Sequence, residues 1–325
     1  MERIDNSQKT LFRAKTNKKE EEIEIYHDEG YENPKINYPF IHQFIATPTR
    51  SKKVFYGLLE EVRKKHHGEN LSIKWKKIKK GAWNRNMIAK EWLELLSVAM
   101  RNEPLKWLGL NREPIILKEP LGVKISSNFI NSLDNLSDSF YRNTKTPRER
   151  RRRKYESLMY MGIKGLTSFC FNPEHTNYSR VIIARLCTDG ENGSIPIDNK
   201  RMINKLEWNL RDYVEIKTDK IEGIPKSKVK TEEVDFEELT DLVLGSTRYL
   251  CGYEERNETK DTIVTPLREI YNKAKRNRKG REASGHYRSF SVSECKINEN
   301  NEMTFELLCP TESNINGIYQ KRLNL

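Results

Sequence analysis

The sequence predicts an α/β protein in which helices pack on a mixed sheet. Three observations carry that prediction. Segment 22–30 alternates with strand period and 40–48 reads as a second strand beside it, 179–190 is a near-continuous apolar strand, and helix-period segments lie between and after them. Strands that alternate with helices build a layered sheet. The chain of 325 residues is long enough for one large domain with embellishments. A hydrophobic fraction of 36% against 33% charged residues, with a mean hydropathy of -0.83, surrounds that core with a heavily charged surface.

Residues 1–20 are polar and mixed in charge and are expected to form a loose tail. In EIEIYHDEG (22–30), Ile23, Ile25 and His27 alternate with Glu22, Glu24 and Tyr26, and the strand ends in the turn Asp28-Glu29-Gly30. NPKINYP (33–39) is a loop and FIHQFIATP (40–48) a second strand. The period then changes. Val54, Leu58 and Val62 recur four apart, Glu60 and Glu61 precede Lys64 and Lys65 by four, and the adjacent His66 and His67 cap a helix that Gly68 ends. LSIKWKKI (71–78) is expected as a third strand, and 87–100 as an apolar helix with Ile88, Trp92, Leu95 and Ala99 on one face.

Residues 101–165 are expected as a helical insertion with one short strand between prolines in NREPIILKEPLGVKI; NFINSLDNLSDSFYRN and TPRERRRRKYESLMYM are both expected to be helical. Val181, Ile182, Ile183, Ala184 and Leu186 then form a strand suited to a buried central position, ending at Thr188-Asp189-Gly190. A helix (201–213), a strand (214–218) and a helix (231–252) follow. The domain is expected to span 21–254. Residues 255–325 are read as an appended element, a helix to 279 and a hairpin with strands near 287–295 and 302–309.

A net charge of +12 and a pI near 9.3 favour a polyanionic partner. No apolar run approaches the roughly 20 residues of a membrane span, and the first residues hold no apolar signal segment, so nucleic acid is favoured over a membrane. Five cysteines, an odd number without a CxxC pair, suggest neither a disulfide framework nor a structural zinc site. A reducing, cytoplasmic setting fits. Lys74, Lys76 and Lys77 (KWKKIKK), Arg150, Arg151, Arg152 and Arg153 (RERRRRK), and Arg276 and Arg278 (KAKRNRKGR) are the candidate phosphate contacts. Any one such run is usually a solvated face; three beside a carboxylate signature carry more weight.

That signature is Asp28, Asp189 and Asp241. The first two end strands at turns, where open α/β sheets place their sites. The third interrupts the apolar positions Leu239, Leu242 and Val243 of a helix, where an unpartnered charge is costly. Carboxylates converging from separate segments repel one another. A divalent cation resolves this, and oxygen ligands favour Mg²⁺ or Mn²⁺. Alternatives stand beside each residue: Asp28 can simply shape a turn, Asp189-Gly190 is a common turn pair, and Asp241 faces solvent if the helix phase slips by one.

HDEGYENP followed by FIHQFIATP, then SIKWKKI, then ELTDLVLGSTRY (238–249), resembles the family called domain of unknown function 3800. Its proteins open with a strand ending in Asp-Glu-Ser-Gly, often carry Lys-Trp on the third strand, and have a late helix with Gln-Leu-Ala-Asp-Leu before a small residue. Asp28 and Glu29 match the first motif, and Asp241 and Gly245 the last. The likeness covers about 21–252. Here the serine is missing, Glu238 and Thr240 replace the glutamine and alanine, and Ser72 stands where an acidic residue is frequent. The resemblance implies a ribonuclease-H-like fold and a metal-dependent nuclease acting on DNA or RNA. Asp28, Asp189 and Asp241 would be metal ligands with Glu29 assisting, and mobile-element or antiviral-defence settings are common for such proteins. Glu29, Glu91 or Glu94 is expected to supply a fourth carboxylate, and Asp198 competes with Asp189. The rival reading is a non-catalytic nucleic-acid-binding or scaffold subunit. Either leaves room for a protein partner or a homo-oligomer.

Overall fold

The computed structural model describes residues 19–30, 40–100, 105–108, 114–117, 120–130, 146–171, 178–189, 197–224, 230–279, 289–297 and 303–307. The expected tail falls almost wholly outside them, although Lys19 and Glu20 already belong to the first strand. That strand, β1 (Lys19–Gly30), pairs antiparallel with β2 (Phe40–Pro48), and helix α1 (Thr49–Lys65) follows at once. Its last turn carries Arg63, Lys64 and Lys65, where cations oppose the helix dipole. Helix α2 (Trp83–Ala99) packs on α1. β3 (Leu105–Leu108) and β4 (Pro114–Leu117) form a separate two-stranded ladder.

β5 (Lys124–Ile130) continues the main sheet beside β2. This corrects the helical reading at Asn128, Phe129 and Ile130; the rest of that expected helix, 131–143, lies outside the described residues. The strand is polar yet fully buried, and its neighbours satisfy it: Ser127 donates to Gln43 Oε1 at 2.6 Å, Ser293 to Asn128 Oδ1 at 2.6 Å, and Lys124 to Ser289 Oγ at 3.0 Å. Helix α3 (Pro147–Gly165) begins at a Thr146 cap that accepts from the Glu149 N–H, and runs into a π turn at Leu166–Cys170. Then come β6 (Tyr178–Asp189), α4 (Asn199–Leu210), β7 (Val214–Ile216), β8 (Ile221–Ile224), α5 (Glu232–Leu250), α6 (Glu258–Ile263), α7 (Thr265–Lys279), β9 (Phe290–Ile297) and β10 (Met303–Leu307).

The sheet is mixed and runs β10-β9-β5-β2-β1-β6-β7, with β8 lying beyond β7 along the same edge of β6. β1 and β6 are parallel and central. β9 lies parallel to β5, and α7 buries Leu267 and Ile270 in the main core, so the segment expected as an appendage completes the sheet. One face of the sheet, with Tyr26, Ile41 and Ile45, is covered by α1, α2, α5, α6 and α7. The other, with Ile23, Ile25 and Phe44, is covered by α3 and α4. Two helical layers thus enclose the strands, as burial on both faces requires. No helix among the described residues is long and apolar enough to cross a membrane.

Residues 71–78 do not form the expected third strand. Trp75–Lys77 is a short 3-10 turn lying on α5. The alternating buried residues Ile73 and Trp75 mimic a strand, but their backbone N–H groups donate to side chains of α5. Ile73 donates to Glu238 at 3.1 Å and Trp75 to Asp241 at 2.6 Å. The Trp75 ring also fills the space beside Gly245, where a Cβ would come within 1.9 Å of it. Only glycine lets the turn approach this closely.

Candidate functional site

β1 brings Glu24, Tyr26 and Asp28 to one face by its period of two. Tyr26 stacks on Phe236 of α5, ring centroids 4.7 Å apart, and this contact fixes the helix across the strand. Glu237 and Asp241, one turn apart on that helix, reach the cleft into which Asp28 points. The parallel register pairs Tyr26 with Cys187 and His27 with Thr188, so Asp28 and Asp189 are the next residues on adjacent strands. The result is a cleft of about 750 Å³ at the carboxyl ends of β1 and β6. Asp28, Glu29, Asp189, Glu237, Glu238 and Asp241 line it together with Lys74, Lys76, Lys77 and Lys230.

Burial pushes the Asp28 carboxyl well above the usual range, and Asp241, Glu29, Glu237 and Asp189 push it further. Burial also raises Asp241, against the opposing pull of the Trp75 N–H, Lys74 and Lys76. Glu237 is pushed up to about 7, because burial together with Asp189 and Asp241 outweighs its ion pair with Lys74. That pair is 2.8 Å long. Burial works against the Lys74 ammonium in turn, but Glu237, Asp241 and Asp189 outweigh it and hold the charge more tightly than in an ordinary lysine. Asp28 Oδ1 accepts the Glu29 N–H at 2.9 Å.

Such a set of oxygen donors, in which Asp189 and Asp241 raise the proton affinity of both Asp28 and Glu237, suits a hard divalent cation in its chemistry. Asp28, Asp189, Glu237 and Asp241 are the residues able to hold one. As the side chains stand, no three or more His, Cys, Asp or Glu residues among those described are drawn together tightly enough to grip an ion.

Asp28, Glu29, Asp189 and Asp241 all line the one cleft, as do Lys74, Lys76 and Lys77. The other candidates lie elsewhere. Asp198 caps α4, accepting the Arg201 N–H at 3.1 Å. Glu91 binds Lys65 and His66, each within 2.9 Å, at the end of α1. Glu94 lies four residues beyond Lys90 and within ion-pair reach of it. Arg150, Arg151, Arg152 and Arg153 ride on α3, which covers the opposite face of the sheet. Two of them pair along the helix, Arg153 with Glu149 and Arg152 with Glu156. The side chains of Arg276 and Arg278 lie outside the described residues.

Glu237 escaped the sequence reading. Its signal was the spacing of four from Asp241, which places both on one face of a helix. His27, next to Asp28 but on the other face of β1, shares a hydrogen bond of 2.7 Å with His42 and one of 3.0 Å with Thr188. Burial lowers His27 to about 3, and burial and His27 lower His42, so both rings are neutral.

No protein-family model, no curated protein and no solved structure matches this chain.

Proposed function

We propose that the chain is a metal-dependent nuclease on a ribonuclease-H-like sheet, cutting phosphodiester bonds in DNA or RNA. The observation that carries this reading is the convergence of Asp28, Asp189, Glu237 and Asp241 in one cleft walled by Lys74, Lys76 and Lys77. Support for the fold comes from the topology, in which β1 is central, antiparallel to β2 and parallel to β6, and carries the first carboxylate near its carboxyl end. The carboxylates would hold Mg²⁺ or Mn²⁺. When bound, such ions activate water and stabilise the leaving oxygen in phosphodiester hydrolysis.

The protein's own groups then have separate tasks. The Trp75 N–H holds Asp241 in place. The Glu29 N–H orients Asp28. Lys76 and Lys77, on the wall of the cleft, meet the phosphate backbone as point charges without reading sequence. Glu237 takes the place of the acid that Ser72 lacks.

The test is incubation of the full chain with labelled DNA and RNA, single- and double-stranded, in Mg²⁺, Mn²⁺ or EDTA, beside Asp28→Asn and Asp241→Asn. Cutting that needs the ion and is lost in both folded variants is the expected result. Salt-sensitive binding without cutting would shift the assignment to a non-catalytic binding subunit.

A further inference from the structure

The site carries a cation of its own. Lys74 Nζ lies 2.8 Å from Glu237 Oε1 on the wall of the same cleft that Asp28, Asp189 and Asp241 line. Its main chain is held from the next residue. The Trp75 N–H binds Asp241 at 2.6 Å, the indole Nε1 binds Glu254 at 2.9 Å, and the ring lies against Gly245 with Lys260 Nζ 4.5 Å from its centre. The base is therefore fixed while the charge rides on a long flexible stem. Lysine fits such a role better than arginine, whose fork would lock onto a carboxylate bidentately. The contrast with Arg63 is direct. That guanidinium binds Asp235 and Glu238 through several hydrogen bonds in a fully buried position.

We propose that Lys74 is the exchangeable counter-ion of the carboxylate cluster: it neutralises Glu237 and its neighbours while the cleft holds no divalent ion, and it gives up Glu237 when one enters. This rests on the reading of the cleft as a divalent-cation site. Lys74 is thereby a positioning and affinity-setting residue, one that keeps the ion-free cleft from repelling itself apart. Its presence weakens ion binding, because the ion must displace an ammonium already in contact.

The experiment is calorimetric titration of Mn²⁺ into the full-length, chelator-stripped protein, comparing wild type with Lys74→Met, Lys74→Gln and Lys64→Met. Lys64 pairs with Glu60 on the exposed side of α1, so it controls for the loss of one positive charge anywhere. Lys74→Gln keeps a hydrogen-bond donor for Glu237 and serves if the methionine variant does not fold. Removing a charge this close to the cluster should tighten Mn²⁺ binding roughly tenfold. The same variants should show a larger rise in melting temperature on adding Mn²⁺ than wild type, while Lys64→Met behaves as wild type. Equal or weaker Mn²⁺ binding by both Lys74 variants would overturn the role of Lys74 and leave the ion site standing. Absence of Mn²⁺ binding in every protein, wild type included, would overturn both.

Discussion

Glu237 and Glu238 are neighbours on α5 and both are buried, yet their carboxyls move in opposite directions from an ordinary glutamate. Burial raises both. For Glu238 it is overcome by Lys230 at 2.7 Å, Arg63 at 2.7 Å and the Ile73 N–H, and the carboxyl ends below its usual value. Glu237 has Lys74 on one side and Asp189 and Asp241 on the other, and it ends near 7. One carboxylate is part of a satisfied network that ties α1, the 68–73 segment and α5 together. The other belongs to a cluster with more negative charge than its neighbours neutralise. Burial is common to the two, so burial does not mark the site. The imbalance of charge around an open cleft marks it. His27 makes the same point from the other face of β1: it is strongly shifted and enclosed by aromatic rings, and it does not line the cleft.

The largest effect should come from breaking the balanced side. Arg63→Met strands Asp235 in the core, leaves Glu238 only Lys230 and the Ile73 N–H, and should cost about 3–5 kcal/mol of stability in urea unfolding. A loss under about 1 kcal/mol would mean that the network is not the tie between α1 and α5.

Next is the pH dependence of the unbalanced side. The carboxyl of Glu237 stands near its ordinary 4.5 in the unfolded chain and near 7 in the folded one. Below 4.5 both forms are protonated; as pH rises the unfolded chain loses its proton first, so folded stability falls up to about pH 7 and then levels. This glutamate alone contributes about 3 kcal/mol to the fall, with Asp28 and Asp241 acting in the same direction. Denaturant melts in EDTA from pH 5 to 8 should show the decline. Mn²⁺, which binds the deprotonated carboxylates, should flatten it.

Gly245→Ala should cost about 1–3 kcal/mol by forcing the Trp75 ring off α5. It should also weaken Asp241's hold on the turn, visible as a shift in tryptophan fluorescence together with slower cleavage. The smallest effect belongs to the rim. Lys77→Ala should weaken nucleic-acid binding evenly across sequences and reduce the salt slope by about one.

The periodic elements could be read without the structure: β1, β2, α1, β6 and α5 form where their apolar patterns place them. What escaped was held by side chains. Residues 71–78 show strand-like alternation, but their hydrogen-bond partners are Glu238 and Asp241 on a helix some 165 positions away. β5 looks too polar for a buried strand until Gln43, Ser289 and Ser293 supply partners. β9 pairs parallel with β5 across a long separation that no local pattern reports. Asp28, Asp189 and Asp241 stood out because each ended a strand or interrupted an apolar helix face. Glu237 sat in a run of acids, and the helix phase that separates it from Glu238 is a property of packing.

The most direct measurement is Mn²⁺ titration of the full-length protein at pH 7.5, wild type beside Asp28→Asn and Asp241→Asn. Saturable binding in wild type that both substitutions abolish is the expected result, while the ion-free Asp28→Asn protein becomes more stable because a carboxyl whose ionisation burial and Asp241 disfavour is gone. Undiminished binding in both variants, or an Asp28→Asn protein less stable than wild type in EDTA, would contradict it.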